Sequence, residues 1–260
     1  MVALNQSDVH IWYRCTTSLD DEAVNSAHQH LSIEERARSR RLRLGADRRD
    51  FTIAHDLLRR SLSNYAEIPP ADWQFATNEF GKPSIENIDR QVQELSFSLS
   101  HTRGCVACAI TSNAPLGVDV EFIDQSQRIQ EIAERYFSER EAAWLSKCSD
   151  ELRNIRFAEL WTLKEAFLKA RGVGLSGSLT DVSFVFDEHS RVEIFGSPTV
   201  DPLEWHAALF EPICNVRLGL VIRCVAKPRL FMRQDKGDGR VLDPIRASAS
   251  LMENNILKQI

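Results

Sequence analysis

Trp161-Thr162-Leu163-Lys164-Glu165-Ala166-Phe167-Leu168-Lys169 is the stretch on which the reading of this chain turns. Phe157, Leu160, Trp161, Phe167 and Leu168 recur at helical spacing, and Gly172 and Gly174 end the run. A long helix is predicted there. On it, Trp161, Glu165 and Lys169 stand one turn apart on a single face. Glu165 ahead of Lys169 is the favourable order for a surface ion pair, worth a few tenths of a kcal/mol. That accounts for two charges but not for a large aromatic in the same stripe.

Upstream lies Gly117-Val118-Asp119-Val120-Glu121. On a strand, Val118 and Val120 share one face, and Asp119 and Glu121 the other. The two carboxylates are then about 7 Å apart along the strand. Like charges so placed repel unless a cation lies between them. A hard cation such as Mg²⁺ suits oxygen ligands and keeps positions for water and phosphate. An apolar-in, acid-out surface strand has the same pattern, so both readings stay open at this point.

Working outward, His10 to Cys15 alternates like a first strand. Ser32-Ile33-Glu34-Glu35 and Ser138-Glu139-Arg140-Glu141 have capping-box spacing. Phe51, Ala54, Leu58, Leu62 and Tyr65 predict an amphipathic helix from Asp50 to Tyr65, closed by Pro69-Pro70. Phe97, Leu99 and Cys105 to Ile110 read as strands. Leu116 to Phe122 follows the turn Ser112-Asn113-Ala114-Pro115, most simply as a hairpin. Four further strands are predicted at Val182–Phe186, Arg191–Phe195, Trp205–Phe210 and Val216–Cys224. From Pro228 the chain is polar and aperiodic, which predicts a poorly ordered tail, with Met252, Ile256 and Ile260 forming at most a weak turn.

The length of 260 residues fits one large domain or two modest ones. With 43% hydrophobic and 27% charged residues, disorder and collagen-like repeats are excluded. A net charge of −5 excludes a polybasic nucleic-acid binder by bulk charge. No apolar run reaches the roughly 20 residues of a membrane span. The N-terminus lacks a signal-peptide pattern, so a cytoplasmic location is expected. Six scattered cysteines argue against a disulfide framework. Cys105-Val106-Ala107-Cys108 lacks the second pair that zinc needs, so its thiols read as small hydrophobes in a strand.

Three weaker signals remain. Ser98-Leu99-Ser100-His101 ends a strand at the turn Thr102-Arg103-Gly104, and Phe80-Gly81-Lys82-Pro83 is a turn presenting a lysine. Arg36, Arg38, Arg40, Arg41, Arg43, Arg48 and Arg49 crowd one stretch. Guanidinium forks match phosphate geometry, while a solvated helical face would look the same. Base-stacking aromatics do not interleave them.

In this order, from about Ser32 to Leu175, these pieces resemble the Sfp-type 4′-phosphopantetheinyl transferases. The pair G-x-D-x-E and W-x-x-K-E-x-x-x-K is highly specific for that superfamily. The resemblance implies an α+β fold: two similar subdomains about a pseudo-twofold axis, each a small antiparallel sheet with helices, and coenzyme A bound between them. The boundaries expected here are 1–112 and 113–227, the second carrying the magnesium and catalytic motifs, then a polar tail at 228–260. The implied reaction moves 4′-phosphopantetheine from coenzyme A to a serine of an apo acyl, peptidyl or aryl carrier protein and releases 3′,5′-ADP.

By the same resemblance, Asp119, Glu121 and Glu165 hold Mg²⁺, with Glu165, Lys169 and Lys164 catalytic. Lys82, Pro83, Ser100, His101, Arg48, Arg49, Asp119 and Lys169 bind coenzyme A. Glu165 is the candidate general base. Where relatives often carry a lysine this chain has Glu35, with Arg36 or Arg38 to stand in. The length suits the monomeric class, acting in fatty-acid, polyketide, nonribosomal-peptide or lysine biosynthesis, with no nucleic-acid or membrane partner. The rival readings are a non-catalytic coenzyme A or carrier binder on the same fold, a Mg²⁺-dependent phosphodiesterase using Asp119 and Glu121, and a structural protein whose acids are surface charge.

Overall fold

Buried β-runs flanked by capped helices build two compact units. The computed structural model describes residues 2–88, 90–123, 129–174, 177–186, 192–196, 200–237 and 245–246. One unit comprises Met1–Ala114 with Pro228–Ala247, the other Pro115–Lys227.

The first unit runs β1 (Asp8–Cys15), α1 (Asp21–His30), α2 (Ile33–Arg41), α3 (Gly45–Leu62), β2 (Phe75–Thr77), β3 (Pro83–Ile85), α4 (Arg90–Gln93), β4 (Leu95–Thr102) and β5 (Cys105–Ser112). β4 and β5 form a hairpin, and β5 pairs antiparallel with β1. Helix α3 lays Ile53, Ala54, Leu57, Leu58 and Leu62 on Trp12, Val106, Cys108 and Ile110. Each large side chain buried this way contributes about 1.5–3 kcal/mol. The helix starts five residues before Asp50, because its polar first turn meets no core and carries no apolar period. It ends at Leu62, and Tyr65 lies beyond it with its hydroxyl on His10 Nδ1 and Trp12 Nε1. Cys105 and Cys108 are both fully buried, and burial pushes each thiol up to about 12. They stay protonated and pack as small hydrophobes.

The second unit runs β6 (Leu116–Phe122), α5 (Ile129–Tyr136), α6 (Glu139–Ser146), α7 (Asp150–Arg171), β7 (Val182–Phe186), β8 (Val192–Gly196), β9 (Trp205–Phe210) and β10 (Val216–Arg223). Its sheet has the order β6-β10-β9, all antiparallel, with β7-β8 a separate hairpin. The hairpin expected between Cys105–Ile110 and Leu116–Phe122 is not formed. β5 pairs with β1 and β4, whereas β6 pairs with β10, so the turn at Asn113–Pro115 separates two sheets.

The chain then returns to the first unit. Contrary to the disorder expected from Pro228, β11 (Arg229–Gln234) pairs with β1, and β12 (Ile245–Arg246) pairs with β11. The β1–β11 pair is parallel, a departure from the antiparallel sheets expected. Its polar residues find partners: Arg229 meets Asp8, and Asp235 takes a two-pronged bond from Arg60. Met252, Ile256 and Ile260 lie outside the described residues.

Both units repeat one device. Ser32 caps α2 and Glu35 returns the cap; the same Glu35 bonds Arg59 on α3 at 3.0 Å. Arg59 in turn donates to the Pro70 and Trp73 carbonyls. Ser138 caps α6 and Glu141 returns the cap; the same Glu141 pairs with Lys164 on α7 at 2.8 Å. Lys164 in turn donates to the Leu179 and Val182 carbonyls. Burial pushes the Glu35 carboxyl up, but His55 and Arg59 outweigh it and hold it at about 2. Glu35 is therefore a structural anchor at the position where a lysine was expected.

Helix α7 lies directly on the second sheet. A Cβ on Gly117 would stand 1.8 Å from the Ala166 carbonyl oxygen, and one on Gly219 2.9 Å from Thr162. The glycine opening G-x-D-x-E thus admits a helix backbone against the strand.

Three outcomes are expected. Lys164→Ala leaves Glu141 buried and unpaired and costs about 3–5 kcal/mol by urea unfolding. The double change Glu141→Leu with Lys164→Met does not restore wild-type stability, because the Ser138 and Phe184 amides and the Leu179 and Val182 carbonyls lose their partners. Gly117→Ala destabilises more than Gly219→Ala in the same measurement, because its new carbon meets backbone at a far shorter distance.

Candidate active site

The site in the second unit grows from the approach of β6 to α7. With Gly117 against Ala166 and Ala170, the next residues on that strand face also meet the helix. Asp119, 5% exposed, takes Lys169 Nζ on Oδ1 at 2.7 Å. Glu121 accepts a hydrogen bond from Trp161. The strand face and the helix face read from the sequence therefore meet. Trp161, the aromatic unexplained by surface pairing, supplies an N–H to one of the acids.

The electrostatics follow from that proximity. Burial, then Asp119, pushes the Glu121 carboxyl up to about 7; Glu165 adds to the rise, while Lys169 and the Trp161 bond oppose it. Burial, then Asp119, raises Glu165 as well, again against Lys169. Lys169 thus sets one positive charge among three mutually repelling carboxylates. Such an oxygen-rich, negatively charged donor set fits a hard divalent cation. Among the described residues, no three His, Cys, Asp or Glu side chains are closed into a ready-made cage.

Lys164 is not at these carboxylates. It is fully buried, on a different face of α7, with Glu141 and two carbonyls as partners. Burial lowers its pKa against the pull of Glu141. There it fixes α7, the helix that carries Glu165 and Lys169, against α6 and β7. Adjacency to Glu165 in sequence concealed this, because neighbours on a helix point about 100° apart.

The first unit holds the other sequence-derived candidates. Asn78 Oδ1 accepts from the Phe80 and Lys82 amides, and Gly81 at φ +84° completes the turn. Lys82 is half-buried, and burial lowers its pKa. Pro83 opens β3 beside it. On β4, Ser100 is buried and His101 exposed. His101 meets the edge of Phe51 at 6.4 Å, and Arg38 stands over the same ring at 5.6 Å. Arg48 is exposed and bonds the Leu42 carbonyl, and Arg49 lies 3.8 Å from Asp50. Buried Asp50, which sequence reasoning passed over, accepts from Thr16 and from the Gly104 amide. It pins the start of α3 to the turn that carries His101. Arg38 and His101 thus share the Phe51 ring as a neighbour.

Comparison with known proteins places the chain in a family. The 4′-phosphopantetheinyl transferase superfamily profile matches residues 115–221, and the profile of the N-terminal part of 4′-phosphopantetheinyl transferases matches residues 19–113. The chain is 32% identical over 212 residues to the 4′-phosphopantetheinyl transferase ffp of Bacillus subtilis, covering 81% of this chain and 88% of that protein. It is 33% identical over 166 residues to Sfp of Bacillus subtilis strain 168, covering 63% and 70%. It is 31% identical over 176 residues to HetI of a Nostoc species, covering 67% and 73%. With both profiles spanning its two units and these relatives matched over most of their length, the chain belongs to the Sfp-type 4′-phosphopantetheinyl transferases, enzymes that move the phosphopantetheine group of coenzyme A onto a carrier protein.

Proposed function

We propose that the transfer is Mg²⁺-dependent and centred on Asp119, Glu121, Glu165 and Lys169. The observation that carries this is the meeting of β6 and α7, which leaves three coupled carboxylates against one lysine. A Mg²⁺ ion held by Asp119, Glu121 and Glu165 supplies charge neutralisation for a pyrophosphate.

The remaining roles belong to the chain itself. Glu165 is the candidate general base that takes the proton from the carrier serine hydroxyl, directly or through a water. The serine oxygen forms its bond to the β-phosphorus as the bond to the 3′,5′-ADP oxygen breaks. Lys169, tethered to Asp119, meets the charge that grows on the departing phosphate. Positioning and charge stabilisation dominate such a transfer. Lys82, Pro83, Ser100, His101, Arg48 and Arg49 take up the nucleotide part of coenzyme A, joined by Arg38. The half-buried Lys82 ammonium supports an anionic ligand there. Arg38, Arg40, Arg41 and Arg43 are exposed and offer a cationic face to an acidic carrier. Since one chain carries all these groups, the reading includes a monomer. It is placed in the cytoplasm, with acyl, peptidyl or aryl carriers from fatty-acid, polyketide, nonribosomal-peptide or lysine biosynthesis as partners. Among the described residues, no helix is long and apolar enough to cross a membrane.

Intact-mass measurement of apo carriers incubated with coenzyme A and Mg²⁺ tests this. The expected result is the gain of one phosphopantetheine group, lost with EDTA. Asp119→Ala and Glu165→Ala are expected to reduce transfer to near background with the fold retained; wild-type turnover in either removes the metal assignment. Lys169→Ala is expected to lower kcat more than coenzyme A affinity, whereas a pure affinity loss makes it a binding residue. Reversing the charge of Arg38 and Arg41 is expected to raise KM for coenzyme A or carrier. Unchanged KM values for both would detach the arginines from the reaction.

A further inference from the structure

Glu121 has an unusual setting for a strand carboxylate. Directly opposite it on β10 is Arg217, the cross-strand position from which a cation would normally neutralise it. Arg217 is turned elsewhere. Its Nε lies 3.2 Å from Glu159 and its Nη1 3.1 Å from Glu211. Glu159 is also held by Arg156 at 2.7 Å. What Glu121 receives instead is the hydrogen bond from Trp161.

Trp161 is well placed to fix a direction. Its ring stacks on Phe157 at 6.0 Å and 15°, and Tyr136 meets it edge-on at 6.0 Å. Glu121 and Trp161 share the wall of a cavity of about 180 Å³ that Ile132, Phe157 and Ala158 make largely apolar. A neutral N–H in such surroundings orients a carboxylate without cancelling its charge. A guanidinium in the same place would cancel that charge.

We propose that Trp161 is a positioning residue: its indole N–H aims Glu121 at the cation without placing a competing positive charge beside it. This rests on the metal reading above. Removing an outer partner of a metal-binding carboxylate typically weakens metal affinity about 10–100-fold. Trp161→Phe keeps the stacked ring and loses the N–H. Replacing Trp161 by benzothienylalanine keeps both fused rings and loses only the N–H.

The test is Mn²⁺ binding to the full chain without coenzyme A, followed by electron paramagnetic resonance, alongside the Mg²⁺ dependence of transfer. Both variants are expected to bind Mn²⁺ about 10-fold more weakly. Half-maximal turnover should need correspondingly more Mg²⁺, with kcat recovering at saturation and the unfolding midpoint unchanged. Loss of ring packing alone would not move the benzothienylalanine variant. Asp119→Ala is the control. If it abolishes Mn²⁺ binding while both Trp161 variants bind like wild type, the positioning role is overturned and the metal reading stands. If Asp119→Ala binds Mn²⁺ like wild type, the metal reading falls and this inference falls with it.

Discussion

The backbone of β6 lies on the backbone of α7, and the active-site geometry depends on that contact. At Gly117 there is no room for a single methyl group. The consequence is electrostatic. Side chains two and four residues along the strand are brought against a helix that carries its own acid and lysine, with Asp119 buried and Glu121, Glu165 and Lys169 half-buried. The repulsion among Asp119, Glu121 and Glu165 is thus imposed by packing, and the packing is sustained by the apolar interior around Leu163, Ala166 and Phe167. The Glu141–Lys164 pair fixes the same helix from another side, so both anchor and chemistry reside in one helical segment.

The two units share an element order and a buried acid–cation anchor but differ in what lies one residue further on. Lys164 is followed by Glu165; Arg59 is followed by Arg60. Three residues before them stand Trp161 and Asp56. In the second unit the strand residue meeting this helix face is Glu121, and in the first it is Arg14. Arg14, Asp56, Arg60 and Asp235 therefore satisfy one another, with His30 on the remaining Asp56 oxygen. At this position the first unit balances its charges. The second keeps an excess of negative charge there, the feature on which the proposed metal site rests.

Much of this was legible in the sequence because the signals were periodic or local. Both capping boxes form as their spacing predicts, and the carboxylates of β6 meet the Trp161–Lys169 face of α7. What was hidden depended on contacts between distant residues. The turn at Asn113–Pro115 looks like a hairpin turn whether or not the flanking strands pair. The polar Arg229–Gln234 segment could not declare itself a strand, since its partners Asp8, Arg60 and Tyr13 lie far away along the chain. Lys164 and Glu165 are adjacent letters with divergent directions, and only the packing of α6 and β7 tells them apart. Glu35 looked like a departure from the family pattern until Arg59 and His55 supplied its reason.

The return of β11 to β1 has a consequence for how the molecule is made. Arg14 meets Asp235 across a separation of 221 residues. The first unit is therefore discontinuous along the chain, with the second inserted before its last strands. During synthesis the N-terminal sheet waits, its β1 edge unpaired, until β11 has emerged. The strands and helices described in the second unit, β6 to β10, all lie before that point. Contacts of such long range slow folding and leave an open edge exposed in the interval. The elements of the second unit are thus positioned to fold as a local event, and the sheet of the first closes last.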